Sequence, residues 1–223
     1  MIPSHDMNHP SLSIVRIAFP LLLLAFVATA FAGTSTYKLD FGTPTSPVAE
    51  GFQAGEAPLL QETVDPSFSI TDEKGAHPVE ISFKGAVGAF SLGTLESRNG
   101  DPDKPLTTDY LYTFENKPDD ATNVQFTISG LPPGSLVTLY AIGAFNGDGR
   151  AGFVSLGNSD LVDIKGGIEP AAKSKSFESF TLVAEKVKVG ADGKLGGIFS
   201  NSDGSKPRAE GQLAGIVLVV ETP

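Results

Sequence analysis

Two short stretches concentrate the side chains best suited to directional polar contacts, Ala144-Phe-Asn-Gly-Asp-Gly-Arg150 and Arg98-Asn-Gly-Asp101. Asn146, Asp148 and Arg150, with Arg98, Asn99 and Asp101, offer amide, carboxylate and guanidinium groups, the donors and acceptors that a hydroxyl-rich ligand such as a sugar requires. The first stretch leaves a long apolar run and so must sit at one end of whatever layer that run builds. The second falls in a connector running from Gly93 to Thr108, longer than loops in compact domains usually are, which is where binding residues tend to gather.

Other chemistries are bounded by counting. His77 is the only histidine after residue 32, and it stands in Lys74-Gly-Ala-His-Pro78, a turn. A Ser/His/Asp mechanism would have to run through it, and Gly152-Phe-Val-Ser-Leu-Gly157 does not have the spacing of a nucleophile elbow. The chain has no cysteine, so thiol catalysis, thiolate metal sites and iron–sulfur clusters are excluded. A zinc site built from histidine and cysteine is excluded as well. Paired carboxylates would suit glycoside hydrolysis, but no local pattern nominates a pair, and the reading is non-catalytic.

Calcium prefers oxygen ligands, and Asn146-Gly-Asp-Gly149, Asp101-Pro-Asp103 and Asn201-Ser-Asp-Gly204 are oxygen-rich loops. None follows the EF-hand pattern, and each serves equally as a tight turn.

The elements that must hold these groups are strands. From Thr36 onward apolar residues recur at spacing two in short runs rich in Val, Ile, Phe, Thr and Tyr, separated by Gly, Pro, Asn and Asp. The runs are 37–41, 67–71, 78–84, 109–115, 123–129, 135–145, 152–156, 176–184, 186–189, 195–200 and 213–221. Val79, Ile81 and Phe83 share one face, as do Val124, Phe126 and Ile128, and Tyr110, Tyr112 and Phe114; these faces are expected to point inward. Ile216-Val-Leu-Val-Val220 is apolar on both sides and predicts a central strand covered on each face.

Helix is confined to a turn or two, placed within Ala49–Glu62. Gly130-Leu-Pro-Pro-Gly134 and Gly190-Ala-Asp-Gly-Lys194 read as turns joining antiparallel neighbours, the second as a hairpin.

Residues 1–32 read as a secretory signal: Arg16 precedes the apolar run Ile17–Val27, which ends in Ala30-Phe31-Ala32. The remaining residues, 33–223, form one domain of a length able to bury its own core without disulfides. They carry 25 acids against 15 bases, a sign that disfavours nucleic acid and anionic membrane as partners. The expected location is secreted, extracellular or periplasmic, with no membrane span in the mature chain.

The segment Tyr37-Lys-Leu-Asp-Phe-Gly-Thr-Pro-Thr-Ser-Pro-Val-Ala-Glu-Gly-Phe52 resembles one that opens many secreted galactose-binding-like domains, above all carbohydrate-binding modules attached to bacterial polysaccharide-degrading enzymes. Asp40, Phe41, Gly42, Ser46, Pro47, Val48, Gly51 and Phe52 match its order. Asp109-Tyr-Leu-Tyr112 and Phe126–Gly134 look like the paired central strands of such modules, and Val189–Leu195 with Ala214–Val219 like their closing hairpin and last strand. The resemblance implies an all-β, antiparallel jelly-roll β-sandwich of about eight or more strands, binding a glycan or polysaccharide rather than turning it over. Similar modules often hold a structural cation, and the resemblance implies a calcium near the first strand joined by Asp40 and Glu50. The chain departs from such modules in having no tryptophan on which to stack a sugar ring. A structural or adhesive surface protein that binds a protein partner is the alternative.

Overall fold

A computed structural model describes residues 33–46, 48–57, 63–84, 86–91, 106, 109–114, 122–144, 151–166, 179–205, 207–208 and 210–223. In chain order the described strands are β1 (Gly33–Gly42), β2 (Gln53–Glu56), β3 (Thr63–Val64), β4 (Ser67–Thr71), β5 (Pro78–Lys84), β6 (Ala86–Ser91), β7 (Asp109–Phe114) and β8 (Asn123–Ser129). They continue as β9 (Leu136–Ile142), β10 (Phe153–Leu156), β11 (Val162–Asp163), β12 (Thr181–Lys188), β13 (Leu195–Ser200), β14 (Glu210–Leu213) and β15 (Gly215–Thr222).

They assemble into a five-stranded sheet in the order β12-β9-β15-β1-β2, a six-stranded sheet β11-β10-β13-β8-β5-β4 and a four-stranded sheet β14-β7-β6-β3. All pairings between named strands are antiparallel except β1 with β2. The protein is all-β and sandwich-like.

The period-two pattern explains the layering. Val79, Ile81 and Phe83 on β5 and Val124, Phe126 and Ile128 on β8 are buried at 5% exposure or less, and they meet Leu39, Leu139 and Leu218 of the five-stranded sheet in one core cluster. Phe83 sits at its centre. Its ring lies 5.9 Å from Phe41, 6.0 Å from Phe68, 5.8 Å from Phe126 and 6.5 Å from Phe199, three of these edge to face. Such pairs add about 0.5–1.5 kcal/mol each beyond burial, which helps a core with no covalent cross-link to stand alone.

β15 is central, as its unbroken apolar run demands. Ile216, Leu218 and Val220 enter the main core, while Val217 and Val219 enter a second cluster on the outer side of the same sheet, with Tyr110, Ile142 and Phe180. The two faces of β7 divide likewise: Leu111 joins the main core and Tyr110 the second cluster. The side chain of Phe114 lies outside the described ones.

Four expectations need correction. The turn of helix within Ala49–Glu62 is absent from its described part, where Gln53–Glu56 is the strand β2, paired in parallel with Leu39–Gly42. The Gly130–Gly134 and Gly190–Lys194 connectors do not join paired neighbours. β8 and β13 belong to the six-stranded sheet and β9 and β12 to the five-stranded one, so each connector arches from one sheet to the other.

The positive φ angles that glycine permits are there, +82° at Gly130, +81° at Gly134 and +70° at Gly193. Turn chemistry specifies a reversal, but the partner is chosen by the apolar faces that must close on each other. The two arches bond to one another instead, Leu131 N–H to Gly193 O (3.1 Å), Gly134 N–H to Val189 O (3.1 Å) and Val189 N–H to Ser135 O (2.9 Å).

The runs 176–184 and 186–189 are, over the described residues, one strand, β12. It carries two register irregularities against β9 and a positive φ of 53° at Lys186, whose N–H is taken by Thr138 Oγ1. Conversely, the last run is split. β14 ends at Leu213 and β15 starts at Gly215, with Ala214 donating to Ile142 O between them.

Candidate functional site

β1 carries Leu39 and Phe41 into the core and turns Asp40 to the opposite side, where it is 4% exposed. Asp40 Oδ2 accepts the N–H of Ala49 at 2.7 Å and so ties the end of β1 to the chain nine residues on. Between them Thr43 and Ser46 close a turn: Ser46 N–H donates to Thr43 O, Thr43 N–H to Ser46 Oγ, and the two hydroxyls lie 2.9 Å apart. Phe52 N–H returns to Ala49 O through Gly51, at φ +80°. β2 then runs beside β1 in the same direction.

A small cavity opens inside this fold-back, lined by Asp40, Gly42, Thr43, Ser46, Glu56 and Asp109 and with room for about one water molecule (≈ 10 Å³). Asp109, fully buried, comes from the start of β7. Glu50 is exposed on the turn and is not among the cavity's lining residues; Glu56 is. Val48, Ala54 and Gly55 complete the lining, and its accessible surface is mostly apolar. Among the described residues no three His, Cys, Asp or Glu side chains are grouped to hold a metal.

The register places this cavity at one end of the sandwich. Asp40 faces Gly215, Gly215 faces Ile142, and Asp109 faces Ser91. The described residues that bracket 92–105 and 145–150, namely Ser91 and Leu106, and Ala144 and Ala151, therefore lie toward that same end. Arg98, Asn99, Asp101, Asn146, Asp148 and Arg150 all lie outside the described residues. Their anchors do not: Leu106 and Tyr110, following the first stretch, share the second apolar cluster with Ile142 and Ala144, preceding the other. Leu106 and Ile142 both press on Gly215, where an added Cβ would come within 2.8 Å of Leu106 Cδ1 and 3.6 Å of Ile142 Cγ2.

The remaining candidates resolve into structural roles. His77 is exposed, beside Asp72. Asp72 is 3% exposed and accepts Ala76 N–H at 2.8 Å and the Ser35 hydroxyl at 3.1 Å. The backbone hydrogen bond from Ala76 is the main reason its carboxyl lies below the usual range. Burial, and secondarily the charge of Asp72, pushes the Tyr37 phenol up.

Tyr110 is buried, and Tyr112 and Tyr140 are half-buried against the second cluster, so none stands free as a stacking platform. The side-chain oxygens of the Asn201–Gly204 loop are engaged within the protein, Asn201 Oδ1 accepting the N–H of Thr122 at 2.8 Å. Asp203 accepts the N–H and hydroxyl of Ser205, and Ser202 Oγ accepts Gly204 N–H.

Asp109 escaped the sequence reading. Its neighbours Tyr110 and Tyr112 pointed to the buried face of that run, which set Asp109 on the solvent side. It is buried because β7 is covered on both faces, and nothing local in the sequence signals that.

The class defined by these residues is an all-β sandwich-type domain with a small cavity beside two buried carboxylates, Asp40 and Asp109, at one end. No family model, no curated protein and no solved structure matches the chain. Among the described residues no helix is long and apolar enough to cross a membrane.

Proposed function

We propose that the chain is an exported, non-catalytic carbohydrate-binding module of the galactose-binding-like jelly-roll type, holding a glycan through the loops at the cavity end of the sandwich. The observation that carries this reading is the convergence of anchors. Leu106, Tyr110, Ile142 and Ala144 pack together, so the stretch bearing Arg98, Asn99 and Asp101 and the stretch bearing Asn146, Asp148 and Arg150 spring from one small area. Between them the two stretches carry six polar side chains of the right chemistry. The layered all-β fold supports the same reading, because packed sheets give a rigid base from which connecting segments can carry binding residues.

Native gels cast with polysaccharides test it. Retardation of the purified residues 33–223, reduced by Arg98→Ala, Asn146→Ala or Arg150→Ala at unchanged melting temperature, is the expected result. Equal migration in every gel would discard the proposal.

A structural or adhesive role through protein contacts is the second reading. Leu182 favours it: a large apolar side chain 45% exposed on β12, an edge strand of the five-stranded sheet. Capture of a partner from deglycosylated envelope extracts that is lost with Leu182→Lys would support this reading over the first.

A further inference from the structure

One corner of the sandwich is closed by side chains rather than by a strand. β4 ends the six-stranded sheet and β2 ends the five-stranded one. The register of β4 with β5, together with the bond from Phe83 N–H to Pro66 O, turns the peptide groups of Phe68 and Ile70 toward β5. The N–H and C=O groups of Ser67, Ser69 and Thr71 therefore point out of the sheet, the arrangement that recruits a further strand.

Gln53, the first residue of β2, meets the last of the three. Its Nε2 donates to Thr71 O at 2.6 Å, while its Oε1 accepts Thr71 N–H at 3.0 Å and the Thr71 hydroxyl at 3.3 Å. The amide makes the two bonds that the peptide of a neighbouring strand would make, and it fills the place where that peptide would lie. Beyond Thr71 the chain is stitched to β1. The Ser35 hydroxyl donates to Asp72, Glu73 N–H donates to Thr36 O at 3.0 Å, and Lys38 pairs with Glu73 at 2.7 Å. This stitched half of β1 is the part that β2 does not reach, since β2 pairs only with Leu39–Gly42.

We infer that Gln53 guards an edge: its side chain stands in for a strand and keeps β4 from pairing with the β4 of a second copy of this chain. Register makes the guard effective. The longest antiparallel pairing of two copies sets Ser69 against Ser69 and Ser67 against Thr71 at both ends, and each such pair exchanges two hydrogen bonds. With the amide on Thr71 only the central pair survives. A shift that sets Ser67 against Ser69 instead lays Asp65 of each copy on the other's amide. A second copy is the occupant because identical edges complement each other about a two-fold axis. β4, Ser-Phe-Ser-Ile-Thr, also lacks the charged side chains that usually protect an edge, and of the common safeguards only Pro66 precedes it.

Amide exchange of the purified chain reads the guard without any substitution. The Thr71 N–H should exchange about tenfold or more slowly than those of Ser67 and Ser69, and equal rates would overturn the inference. Gln53→Met keeps the stem and removes both bonds. At equal protein concentration and about 0.15 M salt, which screens the net charge beyond ~8 Å, the variant should sediment with about twice the mass of the parent. Adding Ser69→Pro deletes the central outward N–H while sparing the ladder with β5, and it should restore the parent's mass. A Gln53→Met chain that keeps the parent's mass refutes the guard. So does one whose added mass survives Ser69→Pro, because its association then runs through another surface. If Gln53→Met does not fold, the exchange rates decide.

Discussion

The carboxylate of Asp109 occupies the space a side chain on Gly42 would need: a Cβ built on Gly42 comes within 2.6 Å of Asp109 Oδ2 and 2.9 Å of Ser46 Oγ. The first strand and the seventh therefore lock at the mouth of the cavity through the absence of one methyl group. Gly42→Ala should push Asp109 and the 43–46 turn apart and cost about 1–3 kcal/mol, the usual range for overpacking. Urea unfolding of residues 33–223 and of the variant gives the number; a difference within error would mean the turn yields freely.

The arch contact between Leu131 and Gly193 is a second point without slack. Gly193 sits at φ +70°, and a Cβ there would approach Leu131 O to 2.7 Å. Gly193→Ala combines left-handed strain with a clash against backbone, and about 2 kcal/mol or more of destabilisation is expected. Gly134→Ala makes the control, because its φ is +81° but nothing lies within 4 Å of its Cβ position, so it should suffer the strain alone. Comparing the two denaturation midpoints checks the difference.

Stability should depend on pH through Asp72 and Tyr37. Asp72 has a lowered pKa in the fold, so its contribution is present above the unfolded value of about 3.9 and is lost as pH falls through the lower folded value. Tyr37 has a raised pKa, so its contribution is present below the unfolded value of about 10 and fades as pH rises through the higher folded one. Asp72→Asn should flatten the acid limb of a plot of stability against pH, and Tyr37→Phe the alkaline limb. Thermal melts from pH 2 to pH 11 read both limbs in one series.

Arg208 closes the 201–210 segment onto the six-stranded sheet. Its guanidinium pairs in bidentate fashion with Asp163 at 2.9 and 2.6 Å, donates to the carbonyl of Ala151 and lies 4.3 Å from the centre of the Phe153 ring. Lysine cannot reproduce that fork or that stacking. Arg208→Lys should cost about 1 kcal/mol, since Asp163 is more than half exposed and solvent screens the ion pair, and should raise amide hydrogen exchange at Asn201 and Ser202.

The identity and phase of the strands are local properties, and they were legible. Ser67–Thr71, Pro78–Lys84, Asn123–Ser129 and Leu195–Ser200 match their expected limits to the residue because alternation of apolar and polar side chains is a direct consequence of the strand's two-residue repeat. The strands Gln53–Glu56, Thr63–Val64, Val162–Asp163 and Ala86–Ser91 were missed: the first three are too short to carry a periodic signal, and Ala86-Val-Gly-Ala-Phe-Ser91 has no alternation of polar and apolar residues, so each pairs only because a neighbour is already in place.

Of the site, the sequence nominated polar side chains on two connectors and the Asp40 segment. That the connectors are rooted in one apolar cluster is a matter of sheet order, and sheet order is non-local.

The sequence by itself determined that the chain is made of strands, which side of each is apolar, that no cysteine braces the core and that the last strand must be covered on both faces. Tertiary structure alone decided that two turns of hairpin composition are arches between sheets, that Asp109 is buried against Gly42 and that the Gln53 amide lies on the Thr71 end of β4. The reason is one of range. Side-chain alternation and φ preference are settled within a few residues, whereas pairing and register are settled by which distant apolar faces can be closed together.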